Sequence, residues 1–148
     1  MCAGGIPTEN DTHPVNIVRA GLEIRDWMKK WNEGRKELNL HAWELRIGIH
    51  VGPVVAGVVG RKKYAYDIWG STVNIASRIE SSGHPGMVNI SEAAYNLVKD
   101  QFTCFYRGKI SAKSIGEIDM YFVEKEVEKE LIRMKTELSL QSAILQTI

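Results

Sequence analysis

Tyr66-Asp67-Ile68-Trp69-Gly70-Ser71-Thr72-Val73-Asn74-Ile75-Ala76-Ser77-Arg78 reads as the end of a strand that passes at once into a helix. Tyr64 to Trp69 is a short run rich in aromatic residues, bounded by Gly70, which suits an extended segment. Ser71 to Ser81 follows as a predicted helix. Within it Asn74 and Arg78 are four residues apart, so they share one face. Asp67 stands seven residues before Asn74. A carboxylate, a carboxamide and a fork-shaped guanidinium in this order suit a ligand with a polar base at one end and phosphate at the other. Plainer roles compete for each residue. Asp67 would cap the turn into the helix, Asn74 would sit on a solvated face, and Arg78 would pair with Glu80.

Upstream, Thr12 reads as the cap of a helix with Pro14 in its first turn, running to about Glu33 and ended by Gly34. Val15, Val18, Leu22 and Trp31 form its apolar stripe, widened by Ile17, Ile24, Trp27 and Met28. Residues 1 to 12, glycine-rich and polar, read as a strand remnant and then a loop. Trp43, Leu45, Ile47 and Ile49 alternate with polar or small residues, which is a strand pattern. Gly48, Gly52, Gly57 and Gly60 punctuate the apolar segment that follows and permit close backbone packing. No Lys-Ser or Lys-Thr pair follows them as a phosphate-binding loop would need. Downstream, Val88 to Ile90 is a short buried strand, Ser91 caps a helix to about Lys99, and Phe102–Ile110 pairs with Ile118–Glu124 as a hairpin.

The chain has 148 residues, 44% hydrophobic and 25% charged, with 19 basic and 18 acidic side chains. That suits one domain and gives no basic surface for nucleic acid. Cys2 and Cys104 make no metal or redox spacing, and the expectation is a reducing, cytoplasmic setting. His13, His41, His50 and His84 show no paired zinc spacing. His50, in an apolar strand, reads as a satisfied core or interface histidine.

At the stretch quoted above the chain resembles the catalytic domain of the class III nucleotide cyclases, the adenylate and guanylate cyclases. Other segments carry the same resemblance in order: Leu45-Arg46-Ile47-Gly48-Ile49-His50-Val51-Gly52-Pro53-Val54-Val55-Ala56-Gly57-Val58-Val59-Gly60, then Val88-Asn89-Ile90-Ser91, Tyr106-Arg107-Gly108 and Tyr121-Phe122-Val123. It covers residues 1–124. It implies an α+β, ferredoxin-like fold with a mixed, mainly antiparallel sheet and helices on one face, lacking that fold's first strand and first helices. It also implies that the glycine-rich stretch packs at a subunit interface.

The implied reaction converts ATP to 3′,5′-cyclic AMP and pyrophosphate at a homodimer interface with two Mg²⁺ or Mn²⁺ ions. Asp67, with Ile68 beside it, takes the position that reads the purine edge. Asn74 takes the position that orients the ribose, and Arg78 the one that stabilises the pentavalent phosphorus. Lys113 takes the position that reaches the β and γ phosphates. The family's two metal aspartates would fall before Met1, so the resemblance assigns no metal ligand here and implies that the chain is inactive alone. Asp67 favours ATP, because a carboxylate accepts from the adenine amine, although it could accept from guanine N1 and N2. The alternatives are a guanylate cyclase and a non-catalytic dimerisation or nucleotide-binding domain. The resemblance leaves room for regulatory or membrane domains elsewhere in a parent protein.

Residues 125–148 lie past the resemblance. Val127, Leu131, Met134, Leu138, Leu145 and Ile148 recur at heptad-like steps, broken by Gln141. They predict an amphipathic helix that either lies on this domain's core or pairs with another chain.

Overall fold

Four consecutive residues, Val88–Ser91, are all buried, and the fold is organised around them. The structure is a computed structural model that describes residues 1–112 and 116–128. Its elements are α1 (His13–Glu37), β1 (Ile47–Ile49), β2 (Val55–Val59), β3 (Ala65–Trp69), α2 (Ser71–Ser81), β4 (Val88–Ser91), α3 (Glu92–Val98), β5 (Phe102–Ala112) and β6 (Gly116–Glu126). The main sheet has the order β1-β4-β6-β5, and β2 and β3 form a separate hairpin. β1 is parallel to β4, while β4–β6 and β5–β6 are antiparallel. This is the mixed, mainly antiparallel α+β architecture expected.

Strand side chains alternate between the two faces of a sheet. Val88 and Ile90 join Val18 and Leu22 of α1, Ala94 and Val98 of α3, and Ile49, Phe102 and Val123 in the larger core. Asn89 points the other way and bonds to Ile79 in α2, where Ile75, Ile79 and Met120 make a smaller core. Helices therefore lie on both faces, which corrects the expectation of one. The cause is legible in β6, where Met120 and Val123 are both buried at positions of opposite parity. A strand apolar on both sides needs cover on both sides.

Helix α1 runs past Gly34 to Glu37. A glycine inside a helix costs only about 0.5–1 kcal/mol relative to alanine, and a stronger stop lies nearby. Asn39 takes a positive φ of 54°. Asn39 N–H donates to the Lys36 carbonyl at 3.0 Å, and Leu40 N–H to the Arg35 carbonyl at 2.9 Å. That left-handed cap ends the helix. At the other end Thr12 holds the cap position but makes no side-chain cap bond. Its hydroxyl donates to Asn10 Oδ1 and accepts from Asn16 Nδ2 instead.

The predicted apolar stripe is narrower than expected. Val18 and Leu22 are buried, whereas Trp27 and Trp31 are 58% and 45% exposed and stack on each other at 5.4 Å. The predicted strand at Trp43–Ile49 shrinks to Ile47–Ile49. Asn32 instead grips the backbone of Trp43, donating to its carbonyl at 2.8 Å and accepting from its N–H at 2.9 Å. Residues 1 to 12 form no strand. Strand β6 extends to Glu126, with Lys125 and Glu126 opposite Thr103 and Phe102. Arg19 fixes that end to α1 through a bidentate pair with Glu126 at 2.6 and 3.0 Å. Residues 129–148, most of the predicted amphipathic helix, lie outside the described residues. Among the described residues no helix is long and apolar enough to cross a membrane.

Candidate functional site

The bend from β3 into α2 depends on Gly70, whose φ of 141° is rarely reached by a residue with a Cβ. Gly70 is also the helix's N-cap. One turn in, Thr72 is buried and its hydroxyl donates to the Pro53 carbonyl at 2.6 Å. With Thr72, Ile75 and Ile79 facing the sheet, the 3.6-residue period turns Asn74 and Arg78 outward together. Both are exposed.

Arg78 does not pair with Glu80. The Glu80 carboxylate is occupied by Arg46, whose Nε donates to it at 3.0 Å. Among the described residues neither Arg78 nor Asn74 makes a side-chain hydrogen bond or ion pair. Asp67 lies in β3 opposite Gly57 and is exposed. Its Oδ1 accepts the N–H of Ile68 at 2.8 Å. It does not cap α2, and its other carboxylate oxygen has no hydrogen-bond partner among the described residues. Ile68 is half-buried. Lys113 lies outside the described residues. The nearby Lys109 is tied to Glu117 at 3.2 Å, a bond that holds its ammonium above the usual lysine range.

The glycine stretch packs inside the chain at Gly48. A Cβ there would stand 2.1 Å from the Glu80 backbone nitrogen, so the α2 backbone rests directly on β1. Gly52 is similarly tight, since its Cβ would meet Thr72 Oγ1 at 2.7 Å. His50 is half-buried, with Nδ1 2.7 Å from the Ser91 hydroxyl, and burial holds its imidazole below the ordinary value. It is the satisfied histidine expected. Ser91 also accepts from Ala94 N–H at 3.3 Å, capping α3 as predicted.

Beside the site, the β2–β3 hairpin shows Val55, Val58, Tyr64, Tyr66 and Trp69 to solvent, Tyr64 at 76%. Among the described residues no group of three His, Cys, Asp or Glu side chains could hold a metal ion, so the residues present do not fit a metal centre.

Two residues near α2 carried no assigned role in the sequence. Asn89 donates to the Ile79 carbonyl at 2.7 Å from full burial. Arg107 donates to the Ser82 carbonyl just past the helix end. The signal for Asn89 was an amide alone between Val88 and Ile90. Nothing local marked the target of Arg107, which is 25 residues away.

The chain matches the model of the adenylate and guanylate cyclase catalytic domain over residues 1–125. It is 37% identical to the receptor-type guanylate cyclase gcy-5 of Caenorhabditis elegans, over 92% of this chain and 12% of that protein. It is 32% identical to an adenylate cyclase of Mycobacterium tuberculosis, over 83% of this chain and 27% of that protein. The chain thus spans about an eighth to a quarter of the length of these relatives. The crystal structure of the guanylate cyclase domain of RhGC from Catenaria anguillulae, in complex with GTP, superposes with a TM-score of 0.74 at 29% identity, covering 83% of this chain and 65% of that one. The chain belongs to the adenylate and guanylate cyclase catalytic domain family.

Proposed function

We propose that this chain supplies the nucleotide-reading and transition-state half of a site that converts ATP to 3′,5′-cyclic AMP and pyrophosphate. The ribose 3′-oxygen forms a bond to the α-phosphorus, the bond to the bridging oxygen of the β-phosphate breaks, and pyrophosphate leaves. Negative charge gathers on the α-phosphoryl oxygens as this happens. A preorganised cation aimed there accelerates the step without reorganisation. Arg78 is that cation, and Asn74, one turn earlier, orients the ribose. Asp67 accepts from the adenine amine, with Ile68 against the base, and Lys113 neutralises the β and γ phosphates.

The observation that carries this is the exposed guanidinium of Arg78, which has no side-chain partner among the described residues. Glu80, two residues on, points to another side of the helix and is engaged by Arg46, and Arg78 stands one turn from Asn74, neither with a side-chain partner among the described residues. The exposed apolar hairpin next to it supports a site shared with a second copy. Mg²⁺ or Mn²⁺ would be held by carboxylates outside the residues described and would supply Lewis-acid charge at the phosphates. The reaction and two free thiols fit the cytoplasm.

A GTP reading is favoured by the 37% identity to a guanylate cyclase, and one experiment decides between them. The chain is mixed with a cyclase domain that keeps its metal carboxylates but carries alanine in place of its own ribose-orienting amide and transition-state arginine. Cyclic AMP from ATP, lost with Asp67→Ala, is the expected product. Cyclic GMP in its place would assign the GTP reading. No cyclic nucleotide of either kind would leave a binding domain without turnover.

A further inference from the structure

We infer that Asn89 is a positioning residue for the chemistry of α2, a buried amide that sets where Arg78 stands. The inference rests on the function proposed above. Asn89 is fully buried in the middle of an apolar strand. Its Nδ2 donates to the Ile79 carbonyl at 2.7 Å, one residue beyond Arg78, and approaches Met120 Sδ at 3.4 Å. Its Oδ1 has no hydrogen-bond partner among the described residues. A buried acceptor left unpaired lowers stability. Leucine has the same branched shape, but it is bulkier and would leave the Ile79 carbonyl, one of the last four of α2, without this donor.

What the amide supplies is direction. Burial of Ile75, Ile79 and Met120 is non-directional and leaves α2 free to slide or turn on the sheet. Thr72 holds the start of α2 and the Gly48 contact sets it on β1; the Asn89 bond to one carbonyl aims its last turn. Arg107 adds a second fixing point. Its guanidinium lies over the Phe122 ring at 5.0 Å and donates to the Ser82 carbonyl, where a cation also complements the helix dipole. Arg78 springs from this same last turn. A shift of about 1 Å there carries to its guanidinium, and misplacement of that size costs about 10²-fold in rate.

The test uses the full chain in the mixture described above, with Asn89→Leu. The expected result is a kcat lowered about 10- to 10²-fold at a KM for ATP within about threefold. The melting temperature should fall by about 2–12 °C for the carbonyl left unpaired, so kcat is compared per folded chain. Amide exchange at residues 79–82 should quicken. An unchanged kcat overturns the inference. So does a kcat that falls only in step with the folded fraction, the signature of a purely structural role. Arg78→Ala in the same mixture separates the two ideas. If it keeps turnover, the proposed function fails. If it abolishes turnover while Asn89→Leu preserves it, positioning alone fails. Should Asn89→Leu not fold, Arg107→Met decides on the same readouts, with kcat expected to fall roughly three- to tenfold and an unchanged kcat overturning the inference.

Discussion

The two faces of the central sheet solve different problems. On one, α1 and α3 pack on a core of nine buried apolar side chains among the described residues, Val88 and Ile90 among them. On the other, α2 brings Ile75 and Ile79 to Met120, a core of three among the described residues. The first face holds the domain together by area. The second has too little area to fix a helix by burial and relies on aimed contacts: the Gly48 backbone against Glu80, Thr72 to the Pro53 carbonyl, and Asn89 to the Ile79 carbonyl. Stability comes from the face without chemistry. The candidate chemistry sits on the outer side of the helix held by few, directional bonds.

That contrast breaks if substitutions on the two faces behave alike. Phe102→Ala, in the larger core, should lower the free energy of unfolding by about 3–5 kcal/mol, measured by urea denaturation. Gly48→Ala should lower it by about 1–3 kcal/mol, because the added Cβ forces α2 off β1. Its larger signature should be loss of cyclic nucleotide formation in the complementing mixture. Thr72→Val keeps the shape but leaves the Pro53 carbonyl unpaired. It should cost about 1–3 kcal/mol, with amide exchange quickened at the start of α2 and unaltered in α1.

The smallest effect is on pH. Burial holds the His50 imidazole below its ordinary value, so the unfolded chain takes up that proton first as the pH drops. Stability is therefore fully present above about pH 6.5 and declines as the pH falls below it. Urea midpoints at about pH 7.5 and 5.5 should differ in this direction, and His50→Gln should flatten the difference.

Much of this was legible in the sequence because the signals were local. The bounds of α2 follow from Gly70 and the spacing of Thr72, Ile75 and Ile79, and that spacing also gives the outward face of Asn74 and Arg78. Ser91 as a cap is a local choice of the same kind. What escaped was set by distant partners. Arg46 takes Glu80 across 34 residues, a pairing that no window around α2 could show. The second covered face of the sheet was hidden because short apolar strands look alike whether one side or both are buried. Gly34 looked like a helix stop because glycine is a weak helix former. Asn39, able to take a left-handed conformation, makes the stop five residues later.

The most direct test of the account measures two quantities on one variant. Arg78→Ala should leave the unfolding free energy within about 0.5 kcal/mol, as for an exposed side chain without partners. In the complementing mixture it should lower the rate of cyclic nucleotide formation by about 10²–10³-fold. A variant that kept its turnover, or that lost turnover only because it no longer folded, would contradict it.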